Sequence, residues 1–592
     1  MKLRSQIDDK YKWDLSAFGV TDENFNAKCD EIKAFMEKIY ALKGRMDTDE
    51  GLLKRLQLGD GLDKLFEPVL MYVSLKSVED LSDSRYDEMG ELLQKMLIEY
   101  NQKSLFSSQV FKKLSIKKIN ELLADKRFAP WELYLQDLKE EKKHQLPDNV
   151  DKFLAGVDFL GANSEIMEKL SDVDLTFESV EDSKGKKHEL NPAVSLSYLE
   201  SDDRVLRRNT LKTLHGTYGK FISTLSANYI NSVKEDCFFA KAYKYRSALS
   251  RSMQEEKVSE EIYKKLIKNV RAELPLLFEY FELKRKALGL KDFYNYDAYA
   301  SLNYASKKKY TYEEAIEVIK EAVRPLGQEY VSLIQRAKDE RWIDVYPNKN
   351  KRSGAFENAI YGYHPVIMTN FNSELEDVFT LAHELGHAMH SYFSNRTQNR
   401  EKAQFTIFVA EVASITNEML LINYLLQNAK TDIERLELYN KLLDNVRLTI
   451  FRQTMFAEFE EKAHAIHEEG GALSKDKLCE MYYNLNKDYF GKKVKLLDEV
   501  KYEWARIPHF FTAFYVYKYA IGMISALNFS SRIISGEKDA VKKYLEFLSA
   551  GCSKKPNEIL AAAGCDLEKE ETYTKAFELV KEALKDFSEI LR

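Results

Sequence analysis

Few residues in this chain can interrupt a helix. Across 592 residues there are 23 glycines and 10 prolines, too few to turn so long a chain through many hairpins. Apolar positions instead recur at three- and four-residue steps, as in Phe25, Cys29, Ile32, Phe35, Met36, Ile39 and Tyr40. Lys, Arg, Glu and Asp are interleaved with them and supply solvated faces tied by i,i+4 pairs. The expectation is a mainly α protein, with amphipathic helices from Thr21 to about Leu170 and again from Arg204 to Arg341. No repeat of fixed period is present, which argues against a helical solenoid. The aromatic opening Tyr11-Lys12-Trp13-Asp14-Leu15 is expected to dock on the body.

Two zones break this rhythm. In the first, Val173 to Glu189, Leu175-Thr176-Phe177-Glu178 alternates like a strand and Asp182-Ser183-Lys184-Gly185-Lys186 has turn composition, which predicts a small hairpin. A boundary near residue 200 then separates an N-terminal helical region, 1–200, from a region 201–592. In the second zone, Val345 to Phe371, Gly354-Ala355-Phe356 and Tyr361-Gly362-Tyr363 have loop composition, and His364 to Phe371 reads as a short strand entered from Pro365. Such a strand is either a plain structural strand or an edge that pairs with an extended peptide. The second reading makes His364, Val366 and Met368 substrate-binding residues.

The charge balance, 89 basic against 95 acidic residues, offers no field for nucleic acid. Five scattered cysteines fit reduced thiols in a cytoplasmic protein better than a disulfide framework. The first ten residues lack the apolar run of a secretory signal. The most membrane-like run, Phe510 to Phe529, holds Lys518 near its centre, a charge costing about 2.5–3.5 kcal/mol there, and is expected to be a buried core helix.

The chemistry lies in His383-Glu384-Leu385-Gly386-His387. Residues four apart share a helix face, so the two imidazoles can meet one metal ion, with Glu384 beside its open position. Two imidazoles and a carboxylate suit catalytic zinc, which keeps a place for water. Ser373-Glu374-Leu375-Glu376 reads as a capping box, Ser373 capping and Glu376 reaching back. Leu375, Val378, Phe379, Ala382, Gly386, Met389 and Phe393 then form an apolar stripe, so this helix should be largely buried.

A third ligand must come from elsewhere. The metzincin pattern needs a glycine at position 390 and a histidine at 393; here stand His390 and Phe393. The apolar segment Thr406 to Glu418 holds two carboxylates, Glu411 and Glu418, seven apart on one face. A carboxylate in that setting must be paired or metal-bound, or it protonates. Ala410, Ala413 and Ser414, with Gly386 opposite, would let the two helices approach closely. The favoured reading has Glu411 as ligand and Glu418 bonding a ligand imidazole; the reverse, with Asn417-Glu418 as the ligand pair, stays open.

These segments also carry a resemblance. His383 to His390, Phe408-Val409-Ala410-Glu411-Val412-Ala413-Ser414, Ile507-Pro508-His509-Phe510, Phe514 to Ala520 and Phe547 to Gly551 resemble oligoendopeptidase F of the thimet-oligopeptidase-like zinc metallopeptidases. Tyr11 to Leu15 matches that family's opening, so the resemblance spans essentially the whole chain. It implies a two-lobed helical body around a deep substrate channel, and cleavage of short unstructured peptides at internal bonds. It also implies one zinc per chain with Glu411 as third ligand. Phe511 stands where the family commonly has a tyrosine.

The expected activity is that of a zinc endopeptidase, with zinc-bound water as nucleophile and Glu384 as general base and then acid. Oxyanion donors are expected from His509, Tyr515 and Tyr519; at helical spacing Phe511, Tyr515 and Tyr519 would share a face, with Tyr517 turned away. His464 and His467, amid Glu460, Glu461, Glu468 and Glu469, read as an exposed face, His144 as a solvated side chain and His390 as a packed neighbour. Expected partners are oligopeptides, with no nucleic acid or membrane, on a monomer or weak homo-oligomer. The rival functions are a helical zinc carboxypeptidase and a non-enzymatic peptide-binding scaffold.

Overall fold

Side-chain caps start the long N-terminal helices where the sequence supplies Thr and Asp. Thr48 accepts from the Gly51 N–H at the head of Asp49–Glu79, and Asp83 accepts from Arg85 at the head of Ser84–Lys113. The computed structural model describes residues 2–147, 150, 154, 161–302 and 308–592. Parts of the two expected helical stretches, at 148–149, 151–153, 155–160 and 303–307, lie outside them. Helix accounts for 71% of the chain and strand for 3%, which makes the fold mainly α with small sheets. Helix Phe25–Tyr40 buries Phe25, Cys29, Ile32, Met36 and Ile39, the face its period indicates.

The apolar interior falls into separate clusters. The largest runs from Met167 to Phe587. A second gathers Trp13 to Met96, and a third spans Met46 to Leu138. A three-stranded sheet joins the first two. Its middle strand, Val366–Met368, pairs in parallel with Ile343–Asp344 and antiparallel with Phe356–Asn358. Successive strand residues face opposite sides, so Val366 and Met368 enter the N-terminal cluster while Ile367 enters the large one.

That position overturns the expectation of a substrate-binding edge at His364, Val366 and Met368. Both hydrogen-bonding sides of the strand are occupied, and its three residues are buried. His364 bonds its neighbour's carbonyl, Nδ1 to Pro365 at 2.9 Å, and stacks on Trp342. The outer edge beside it belongs to Phe356–Asn358.

The aromatic opening docks as expected. Trp13 is buried and donates to Glu79 at 2.7 Å, and the Tyr11 hydroxyl donates to Glu313 at 2.9 Å. The hairpin forms, but one step later than the alternation indicates. Val180–Glu181 pairs with Lys187–His188 around the Asp182 turn, and Leu175–Glu178 is not a strand. Asp182 Oδ1 accepts from both Lys184 and Lys186 N–H groups, so the turn, not the apolar alternation, sets the register.

Three further expectations about polar residues are corrected or met. His144 is not solvated: it stacks on Tyr245 at 3.8 Å, and its Nδ1 meets the Tyr243 carbonyl at 2.8 Å. The His464 face is exposed only at its end: Glu468 and Glu469 are exposed, but His464 and Glu460 are buried, and His464 packs on Phe514. Lys518 sits in a buried helix, as expected, and is neutralised there by Glu256. No helix among the described residues is long and apolar enough to cross a membrane.

Two helices pack most closely where the sequence places small residues. Leu375–Thr397, here the histidine helix, crosses Ile407–Asn428, the glutamate helix, at Gly386. A Cβ on Gly386 would stand 2.5 Å from the Ser414 Cα and 2.8 Å from the Ala413 carbonyl oxygen. Both are backbone atoms and cannot rotate away. Asn417 adds a clamp: it donates to the Ala382 carbonyl at 3.1 Å and accepts from the Tyr330 hydroxyl at 2.9 Å. Gly386→Ala should therefore push the helices apart and cost about 1–3 kcal/mol of stability, the usual range for overpacking. Denaturant unfolding checks this; an unchanged midpoint contradicts the close approach.

Candidate active site

The histidine helix begins one residue later than the capping box from Ser373 requires. Ser373 takes a left-handed conformation, φ 69°, which turns the chain before the helix starts. Glu374 becomes the cap position, and Asp377, not Glu376, reaches back to accept from the N–H groups of Glu374 and Asn372 at 2.8 and 2.9 Å. The stripe then buries Val378, Phe379, Ala382, Gly386, Met389 and Phe393, and the opposite face carries His383 and His387.

Three donor atoms converge there. His383 Nε2 lies 3.2 Å from His387 Nε2 and 3.4 Å from Glu411 Oε2, and the last two are 3.7 Å apart. Zinc bonds of about 2.0–2.1 Å at tetrahedral angles need donor separations of about 3.3–3.4 Å. The set thus has the size of one face of a zinc tetrahedron. Among the described residues it is the one group of three such side chains that converge. Glu418 stands on the other side of His383, its Oε1 2.6 Å from Nδ1. That contact orients the ring so that Nε2 faces the donor set. The Ser414 hydroxyl donates to Glu411 Oε2 at 3.2 Å.

The electrostatics favour a cation. Burial disfavours a charged His383, yet Glu411 and Glu418 outweigh it and hold its pKa up at about 10. Burial and the neighbouring His383 push His387 down to about 4. Burial would raise Glu411, but the two histidines hold it at about 2. Two carboxylates thus face two imidazoles that together carry one proton beyond their neutral forms. A divalent ion in place of that proton would balance both carboxylates with the imidazoles neutral, the form that binds metal.

Glu384, 7% exposed, follows the first donor by one residue. Burial pushes its carboxyl up to about 7, while the Glu357 N–H on the edge strand donates to it. A cavity of about 450 Å³ reaches His383, Glu384 and Glu418 from between Gly354-Ala355 and Thr380.

His509, Tyr515 and Tyr519 come together, but not on one helix. The C-terminal helix starts at Tyr517, and Phe514 before it is left-handed, φ 57°. The expectation that Phe511, Tyr515 and Tyr519 share a helix face is therefore wrong. Glu460 holds the bend by accepting from the Phe514 N–H at 3.0 Å. The loop folds back so that the Tyr519 hydroxyl meets His509 Nε2 at 3.3 Å, with the Tyr515 ring against both. Tyr517 is buried in the core. This helix packs on the glutamate helix, and a Cβ on Gly522 would lie 3.2 Å from the Glu411 Cβ. Tyr519, three residues before Gly522, is on that side.

Other candidates stand apart. His390 is buried between Phe405 and Phe547. The strand residues His364, Val366 and Met368 do not line the cavity at His383. Sequence reasoning missed Glu357 and the hydrogen bonds of Ser414 and Asn417; the last two stood in the segment read for its carboxylates, whereas Glu357 lay in a zone read as loop and strand. Replacing Glu418 by Gln should leave the fold intact and weaken metal binding about 10–100-fold, measured by chelator competition for zinc; unchanged affinity contradicts its orienting role.

Comparison with known proteins agrees with this architecture. The family model described as Peptidase family M3 matches residues 197–579, and that described as Oligopeptidase F matches residues 111–177. Oligopeptidase PepF of Bacillus subtilis is 33% identical over 99% of this chain and 88% of its own. A crystal structure from Chlamydophila abortus superposes with a TM-score of 0.93 at 32% identity, covering 100% of both chains. Oligoendopeptidase-F from Enterococcus faecium has a TM-score of 0.74 at 28% identity over 96% of this chain and 99% of that one. With the M3 match spanning most of its length and the oligopeptidase F segment lying ahead of it, the chain belongs to peptidase family M3.

Proposed function

We propose that this chain is a zinc endopeptidase that hydrolyses internal bonds of short, unstructured oligopeptides. The observation that carries the reading is the donor set His383, His387 and Glu411 at tetrahedral spacing, with buried Glu384 one residue after the first donor. Zinc held by these three side chains would lower the pKa of its water toward neutrality and polarise the scissile carbonyl.

The chain's own groups do the rest. Glu384, its pKa raised by burial, takes a proton from the attacking water and passes it to the departing amine nitrogen as the C–N bond breaks. Glu418 holds His383 in the tautomer that leaves Nε2 free to bind. Tyr519 and His509 donate to the oxyanion, with Tyr515 packing the pair into place. The peptide lies along the outer edge of Phe356–Asn358, where main-chain pairing tolerates many side chains. Region 201–592 holds the catalytic groups, and region 1–200 walls the path of the peptide.

Glu384→Gln should keep zinc and fold while kcat falls about 10²–10⁴-fold; full turnover in that variant overturns the mechanism. Tyr519→Phe should lower kcat by about 10²–10³ with KM little changed, as loss of one oxyanion donor does; an equal effect confined to KM assigns Tyr519 to substrate binding instead. Mass spectrometry of a peptide blocked at both ends checks the endopeptidase reading. Internal fragments support it, and no cleavage until the C-terminus is freed supports a carboxypeptidase.

A further inference from the structure

A second cavity, of about 660 Å³, opens between the N-terminal helix Asp49–Glu79 and the catalytic helices. Apart from Glu357 and Asn358 on the outer strand, the peptidase mechanism uses none of its lining. Its walls carry five carboxylates, Asp60, Asp63, Glu67, Glu357 and Glu401, against the two guanidinium groups of Arg55 and Arg400. Some of these are satisfied within the protein. Glu67 pairs with Arg400 at 2.8 Å, the Trp131 indole donates to Asp60 at 3.2 Å, and the Tyr134 N–H donates to Glu401 Oε1 at 2.6 Å.

Two oxygens are not. Glu357 Oε1 and Glu401 Oε2 are buried and have no hydrogen-bond partner. A buried, unpartnered carboxylate oxygen costs free energy unless a donor arrives to meet it. The Nε atoms of Arg55 and Arg400 also lack partners, but the ends of both guanidinium groups are engaged, by Tyr100 and Glu67. The surplus on the walls is negative.

The cavity is also close to the reaction centre. Glu357 pairs with Ile367 in the sheet, and its carboxyl lies against Ser391, seven residues after Glu384 and so on the same face of the histidine helix. Its own N–H donates to the Glu384 carboxylate. One residue therefore touches both places, so a few residues of extended peptide, at about 3.3 Å each, would span them.

We propose that this cavity is a subsite for a cationic group of the peptide substrate, an ammonium or a guanidinium, received by the carboxylates of Glu357 and Glu401. The proposal rests on the reading of the chain as a peptidase. Burial pushes the Glu357 carboxyl up to about 8 and that of Glu401 to about 7, the latter only partly offset by Lys402; a substrate cation would add the missing counter-charge.

The test uses the full-length zinc-loaded protein and four internally quenched peptides of equal length. One has a free N-terminus and no lysine, one is N-acetylated with a lysine near the cleaved bond, one carries both cations, and one is acetylated with norleucine in place of lysine. Both kcat/KM and, in the Glu384→Gln background, Kd are measured. The cationic peptides should bind about tenfold more tightly than the neutral one, the size of a charged hydrogen bond. Glu357→Gln and Glu401→Gln should each bring the ratio of Kd values toward one. A preference that follows acetylation identifies the N-terminal ammonium, and one that follows norleucine identifies a side chain; both support the subsite. Equal Kd for charged and neutral peptides, or a ratio unmoved by both variants, overturns it. Turnover decides the peptidase reading separately, because Kd is read without cleavage. If Glu357→Gln unfolds, Glu401→Gln, away from the sheet, still decides the question.

Discussion

The site depends on how closely two helix backbones can approach. The histidines and Glu411 come from separate helices, and their donors must stand within about 3–4 Å of one another to share an ion of zinc's size. Only a residue without a Cβ allows that crossing, since even a methyl group at Gly386 would overlap the Ser414 backbone. Asn417 then locks the register through the Ala382 carbonyl, next to His383. A third helix closes on the same point, with Gly522 against the Cβ of Glu411. Packing density here is the cause, and the donor geometry is its consequence.

Buried charge is arranged around that crossing in matched sets. Away from the site the sets close on themselves: Asp344 with Arg4 and Lys351, Asp444 with Lys284 and Arg447, Glu503 with Arg452. Such pairs are weak evidence for net stability, but loss of one partner would strand a charge and cost about 3–5 kcal/mol. The donor set differs because its carboxylates outnumber its cations. A structural network that ended this way would carry a standing penalty, whereas a binding site ends this way because its ligand completes it.

Local spacing made part of this legible from the residues alone. His383 and His387 share a face whatever the tertiary fold, and Glu411 and Glu418 are conspicuous in a segment otherwise nearly apolar. Contacts that depend on distant pairing were not legible. The Phe356–Asn358 strand is three residues long, too short to show a period, and its partner strand was taken for an edge because a sequence does not show which sides of a strand are filled. Composition misled at His464, where a run of glutamates read as solvated. Glu460 is instead buried and holds the Phe514 N–H, while Glu468 and Glu469 are exposed as read. The helix face through Phe511 and Tyr515 failed for a related reason, since a left-handed Phe514 held by a distant carboxylate leaves no local trace.

The small sheet links the N-terminal region to catalysis. Its middle strand alternates between two apolar cores, so neither can shift without the other while the strand stays straight. Its outer strand is registered to the middle one by the pairing of Glu357 with Ile367, and the same Glu357 N–H reaches the Glu384 carboxylate. A displacement of the N-terminal core would therefore be passed, through three short strands, to the one carboxylate expected to move protons. The proposed peptide edge lies on that outer strand as well. On the proposed function, substrate pairing and general-base position would share a backbone, and a peptide paired there would also hold the strand beside Glu384. In a chain that is mostly helix, these few strand residues would then be where binding and chemistry are mechanically connected.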